Sequence, residues 1–407
     1  MVQTTKLRSL PILIGAGVML TMAMGIRQSM GLVMPPITRD LAISVSGFTL
    51  ALSAQNLVWG ICQPFAGALV GQVGFRPVLL GGAALYCLGL LVLSGAHGLT
   101  AIMIGAGLLI GIALACTASA MAMAVSARVA SERNRSFVLG AITGAGSLGA
   151  LIAAPLGQTL SVAFGWRAEV LGFLVLASIM LPAAWFASRV DSVSTPSAAG
   201  AAGKSASAAL REAASSVPFV VMLAAYSVCG LQLLFLTAHL PTYLAICGMD
   251  PMLSGEAIGV VGCFNAVGSV FFGWAGGRWS KQALLGIIYT LRSLGLFVYF
   301  ALPPTPTSTL LFAAVMGFLW LGTGPLVAGA IVEMFGLRWQ AMIQGIAFSS
   351  HQLGSFIGAL GGGLLFDALG SYDLAWKLIV GLGLTGGLIQ LLFALGRPAP
   401  PPQPAMS

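Results

Sequence analysis

The chain has 407 residues, 58% of them hydrophobic and only 7% charged, with a mean hydropathy of +0.99 and a net charge of +8. A soluble domain carries about 25% charged residues, so this chain has too few polar groups to coat a water-soluble surface, and a soluble enzyme is excluded. The positive excess is read as loop charge facing anionic lipid, with no nucleic-acid partner expected.

Lys6 and Arg8 precede a first apolar tract at 10–34. It is too long for a signal peptide, lacks a clear cleavage site and is followed by many more spans, so an uncleaved first helix is predicted. Further tracts of roughly 20 residues, enough to cross about 30 Å of hydrocarbon, follow at 47–71, 77–97, 100–127, 136–161 and 168–189. A stretch rich in Ala, Ser and Gly at 191–216 then reads as a linker. Six more tracts lie at 217–245, 256–276, 282–302, 308–332, 340–366 and 374–396. With the N-terminus inside, 13 of the 18 basic residues fall in cytoplasmic segments, and only Arg39, Arg167 and Lys377 fall outside. The asymmetry obeys the positive-inside rule and places both termini in the cytoplasm.

The second half repeats the first at an offset near 205. Met24-Gly25-Ile26-Arg27 and Pro36 fall on Cys229-Gly230-Leu231-Gln232 and Pro241. Gly67 and Gly71 fall on Gly273 and Gly277, while Gly140, Gly149 and Gly165 fall on Gly345, Gly354 and Gly370. An all-α integral membrane protein follows, with twelve transmembrane helices in two pseudo-symmetric six-helix bundles. The bundles are residues 1–190 and 217–407, and a site between them at mid-membrane is expected. The 54 glycines suit close helix packing. Cys62, Cys87, Cys116, Cys229, Cys247 and Cys263 fit no metal spacing and read as small packing residues.

These features resemble the major facilitator superfamily over essentially the whole chain. The segment from Gly67 to Pro77 resembles the family's signature loop. It keeps Gly67, Gly74 and Arg76, with Gly71 where the family has aspartate and Gln72 and Phe75 at basic positions. Gly140-x-x-x-Gly144 and Ala154-Pro155-x-Gly157 resemble its glycine-rich fifth helix. Within the superfamily, Arg27-Gln28-Ser29-Met30-Gly31 is similar to the first-helix segment of the monocarboxylate transporters and their bacterial relatives, with arginine for lysine. Gly262 to Gly273 is similar to their eighth-helix motif, with Asn265 and Ser269 where that family has aspartate and arginine. The resemblance implies alternating access and no cofactor, without the charged pair that takes substrate and proton in that family.

Two cations remain inside spans, Arg27 in the first and Arg292 in the ninth, whereas all ten Asp and Glu map to loops or span ends. Buried charge of one sign calls for a ligand of the other, and a carboxylate matches the guanidinium fork. Substrate contact is the leading reading for Arg27 and a candidate one for Arg292. Snorkelling or bonds to backbone carbonyls are the structural alternative, the stronger one for Arg292 because ninth helices usually sit at the periphery of this fold. His351 and His239 can take a proton near neutral pH and are candidates for proton coupling, or else neutral interhelical bonds; His239, just before Pro241, could instead gate. Gln55, Asn56, Tyr226, Gln232, Asn265 and Ser269 could complete the site or glue helices together.

No P-loop, metal-ligand cluster or nucleophile–base pair is found. The leading expectation is a monomeric carrier of a small organic anion, with a carboxylate as the preferred class, in a bacterial-type inner membrane, using proton symport or anion exchange. Drug or cation efflux by proton antiport would need a membrane-embedded acid. A non-transporting sensor of the same fold usually adds a soluble domain.

Overall fold

The computed structural model describes residues 2–43, 45–193, 205–249 and 251–396. Every regular element among them is helical. In chain order, α1 is Val2–Asp40, α2 Val45–Val73, α3 Phe75–Ser94, α4 Leu99–Val129, α5 Arg135–Phe164 and α6 Trp166–Ser192. The second set is α7 Val217–Ile246, α8 Pro251–Ala275, α9 Lys281–Ala301, α10 Pro306–Phe335, α11 Gln340–Leu369 and α12 Asp373–Leu395. A short helix, Ala206–Ser215, precedes α7. Linker residues 194–204, with Lys204, and the tail from Arg397 lie outside the described residues.

Among the described residues, nine of the twelve are apolar enough over a sufficient length to cross a membrane on that ground alone. In α8 the apolar stretch is the shorter Gly259–Ala275. The span of α2 is diluted by amides, Gln55, Asn56 and Gln63. One hydrophobic core, around Met19, Ile26, Tyr86 and Phe173, lies almost wholly within α1–α6, with Ala341 of α11 joining it. Two more, around Ile288 and Ile343 and around Phe312 and Met316, lie within α7–α12.

The duplication read from the sequence reappears as paired helix contacts. Helix α1 packs on α5 where Gly25 meets Gly149, and α7 packs on α11 where Gly230 meets the backbone of His351; a Cβ at either place would collide. The turns before α6 and α12 use Gly165 and Gly370 at φ of +85 and +67, a region open to glycine. Across the bundles, a Cβ on Gly273 would lie 2.6 Å from Gly140 Cα, and one on Gly345 would lie 2.7 Å from the Gln63 carbonyl carbon. These two symmetry-related contacts, α5 on α8 and α2 on α11, close the end of the molecule that carries the termini. There the Trp339 ring occupies the space that a side chain at Gly71 would fill, and Arg128 Nη2 reaches the Arg338 carbonyl at 3.5 Å. The glycine at the signature aspartate's position is thus the seat of a tryptophan.

Two helices are broken at mates of the repeat. Helix α4 kinks at Ala118 (φ −84, ψ −158), and α10 breaks at Leu321 and Gly322. Non-helical backbone at this depth is tolerated where it lines a cavity. At α3, Asp191 accepts from the Phe75 and Arg76 amides at 2.9 and 3.0 Å, capping the helix. At the opposite end, the Trp166 indole and the Arg167 guanidinium bond Asp40 and hold its carboxyl below the usual carboxylate range.

Candidate functional site

Between the bundles lies a cavity of about 400 Å³, in the range of small-molecule sites. Helices α1, α2, α4 and α5 face α7, α8, α10 and α11 across it, and both broken helices contribute, through Ser119 and Met123 on one side and Leu321 and Thr323 on the other. Helices α3, α6, α9 and α12 stay at the periphery. Along α7 the lining runs from Tyr226 to Leu240, and on α8 it begins at Ala257, so the cavity extends toward the end opposite the termini. Thr143, Met123 and Gln344 form its floor, the threonine hydroxyl and the amide both reaching the Met123 sulfur.

Arg27 is the one formally charged residue among the described lining. Its Nη2 donates to Asn56 Oδ1, and its guanidinium lies 5.1 Å from the Trp59 ring centroid. Its Nε is buried without a partner among the described residues. Asn56 is itself held by its bond to the Leu52 carbonyl at 3.0 Å, and its own carbonyl accepts from Gln352 of α11 at 3.2 Å. The remaining wall is mostly apolar and aromatic, with Leu233, Val261, Phe312, Trp320 and Phe348. A cation fixed at one edge of an apolar chamber is suited to an amphiphilic anion.

Of the other residues singled out from the sequence, Tyr226, Asn265 and His351 line the cavity. Asn265 also supports the fold, because its Oδ1 accepts from the Leu321 amide at 2.8 Å and satisfies a donor freed by the break in α10. The His351 ring stacks on Phe348 and tilts against Tyr226, with centroids 4.7 Å apart in the second pair. Gln55, Gln232, Ser269, His239 and Arg292 are not lining residues. Gln55 donates to the Ala106 carbonyl at 2.7 Å, within the π-helical turn Met103–Leu109 where α4 loses its regular bonding. Ser269 donates back to the Asn265 carbonyl. Gln232, the repeat mate of Arg27, turns into its own bundle and donates to Ser293 Oγ at 2.8 Å. His239 has Nε2 2.9 Å from the Ala359 carbonyl and Nδ1 3.1 Å from the Tyr372 hydroxyl, so both nitrogens serve packing.

Arg292 is fully buried and separated from the cavity by α7; its Nη1 lies 2.9 Å from Cys229 Sγ. A peripheral helix cannot reach the central chamber, and its arginine addresses the back of the chamber wall. Glu169, read as a span-end residue, is also fully buried, against Gly157 and Phe173, away from the cavity. Cys229, read as a packing thiol, proves to be a lining residue. Helix α7 is apolar on nearly every side, so no periodicity in the sequence marked the face that Cys229 shares with Tyr226 and Leu233.

Comparison with known proteins agrees with this geometry. Residues 13–359 match the Major Facilitator Superfamily. Monocarboxylate transporter 13 of Bos taurus is 27% identical over 347 residues, 84% of this chain and 80% of the relative. The uncharacterized MFS-type transporter YcxA of Bacillus subtilis is 23% identical over 85% of each chain. The crystal structure of the E. coli fucose:proton symporter superposes with a TM-score of 0.72 at 16% identity, covering 94% of this chain and 99% of the other. The chain belongs to the Major Facilitator Superfamily and is a multi-pass membrane transporter, not an enzyme.

Proposed function

We propose that this transporter carries a small organic anion, a monocarboxylate with an apolar body, by alternating access between its two halves. The observation that carries this reading is Arg27, the lone formal charge on a mostly apolar wall, with a buried Nε that lacks a partner among the described residues. A carboxylate accepts two parallel hydrogen bonds from such a fork, while the aromatic and aliphatic wall takes the hydrocarbon. The likeness to monocarboxylate transporter 13 supports the substrate class. In this reading residues 1–190 and 217–407 rock against each other about the linker at 191–216, in a monomer. The termini lie in the cytoplasm of a bacterial-type inner membrane, the cavity faces outward, and proton symport or anion exchange drives the cycle.

The test is uptake of labelled branched aliphatic and aromatic monocarboxylates into proteoliposomes. Wild-type protein accumulates at least one of them, and Arg27→Gln, expressed and folded, does not. Arg27→Lys keeps the charge but loses the planar fork, and binds about tenfold more weakly, or about 1.4 kcal/mol. Undiminished uptake by Arg27→Gln would remove the assignment, and saturable efflux of a lipophilic cation would replace it with drug export.

A further inference from the structure

Arg292 poses a problem that the anion site leaves untouched. Its side chain is 0% exposed in the second bundle. Its Nε and Nη2 have no hydrogen-bond partner among the described residues, and its Nη1 is spent on a sulfur. A buried guanidinium stays charged, and leaving it uncompensated is costly. No carboxylate among the described residues bonds it. The acids that do face it are the Cys229 thiol and the Tyr226 phenol from α7 and the Tyr289 phenol from α9. Of these the thiol is the stronger acid in its ordinary setting, at about 8.5 against about 10 for a phenol, and it is the one within hydrogen-bond reach of the guanidinium. From α11, His351 interacts with the same sulfur, and α12 brings Gly383 and Gly387 to this layer with no titratable group.

We propose that Cys229 is the proton-binding acid of this carrier: a thiolate paired with Arg292 that exchanges its proton with the cavity through His351. The inference rests on the anion reading of the Arg27 site. In the empty carrier the charges of Cys229 and Arg292 cancel. When a carboxylate enters in front of Cys229, its negative charge takes over part of the compensation and draws a proton inward. Neutral His351 takes up a proton arriving through the cavity and hands it to Cys229 Sγ, leaving neutral imidazole and neutral thiol. Empty carrier and carrier loaded with one anion and one proton then have the same net charge. Symport thus needs no membrane carboxylate, because a cysteine stands in for it.

The experiment is thiolate absorbance near 240 nm, recorded against pH on the purified full-length protein as a wild-type minus Cys229→Ser difference. A signal is expected at pH 7.5 without any ligand, and Arg292→Gln is expected to abolish it at that pH. A signal that rises only above the ordinary thiol range, or that survives Arg292→Gln unchanged, overturns the assignment. Addition of a non-absorbing branched aliphatic monocarboxylate should then lower the wild-type signal as the proton is taken up. A signal that stays constant, while thermal shift reports the same compound bound, overturns the coupling. The ligand-free titration needs no substrate, so failure of the Arg27 reading and failure of the Cys229 assignment are told apart.

Discussion

Arg27 and Arg292 carry the same group in the same low-dielectric setting, yet their surroundings assign them different work. Arg27 belongs to a cavity-lining helix and itself lines the chamber; Arg292 belongs to a peripheral helix and reaches the chamber wall only through Cys229. Replacing a buried ion by an apolar side chain of similar volume is often neutral or stabilising. Arg292→Met is therefore expected to leave the thermal midpoint unchanged or raise it, because Cys229 simply retains its proton once the cation is gone. A clear drop in that midpoint would mean Arg292 is kept for stability. The residues alone present both arginines as candidates, and only the resemblance to a fold with peripheral ninth helices favours a structural role for Arg292. Helices apolar all round give no moment from which to read a facing side, so Gln232 and Arg292 were legible as embedded polar groups and not as groups turned away from the chamber. Gly71 was legible as a departure from the signature loop, but its cause, Trp339, lies 268 positions further along the chain and becomes visible only once α2 meets α11.

At the level of elements, the repeat was legible because glycine at a helix crossing is a steric requirement, and duplicated crossings leave it at a constant offset. Gly25 with Gly149 and Gly230 with α11 hold each bundle together, whereas Gly140 with Gly273 and Gly67 with α11 join one bundle to the other. The break in α4 was not legible, since Ala118 is not a residue type that interrupts a helix in isolation, whereas the break in α10 left a trace in Gly322, Gly324 and Pro325. The crossings between bundles must part when the cavity changes sides, so their packing sets the balance between states. A leucine at Gly273 would press its Cβ to 2.6 Å from Gly140 Cα and 2.8 Å from the Ser136 carbonyl. Overpacking of this kind costs about 1–3 kcal/mol, enough to shift a two-state balance about tenfold or more. Gly273→Leu should hold the terminus-bearing end open. A cysteine placed at Thr143 on the cavity floor then becomes reactive to an impermeant maleimide from that side, and uptake falls about tenfold or more. Unchanged labelling would show that this crossing does not limit closure.

For the molecule as a whole, the charge balance proposed at Cys229 makes a demand on when the halves can exchange. A ligand shifts a conformational equilibrium only by its differential affinity for the two states. An anion bound without its proton pairs with Arg27 but stands in front of the Cys229 thiolate, and carrying two like charges held close at low dielectric through the occluded state is expensive. Anion and proton together restore the balance of the empty carrier, so only the empty and the doubly loaded forms should switch freely. Spin labels at Glu132, between α4 and α5, and at Glu333, near the end of α10, report this from the terminus-bearing end. Both positions are exposed, and the surface pair lost with Glu333 is worth little. With carboxylate added at high pH, the distance between labels should stay in a single short population. With the same carboxylate at mildly acidic pH, a second and longer population should appear as the α5–α8 and α2–α11 crossings part. In Cys229→Ser, which cannot hold a thiolate, the distribution should no longer depend on pH. A long population driven by the anion alone, with the proton withheld, would show that charge balance does not govern the exchange and would point to anion exchange as the source of energy.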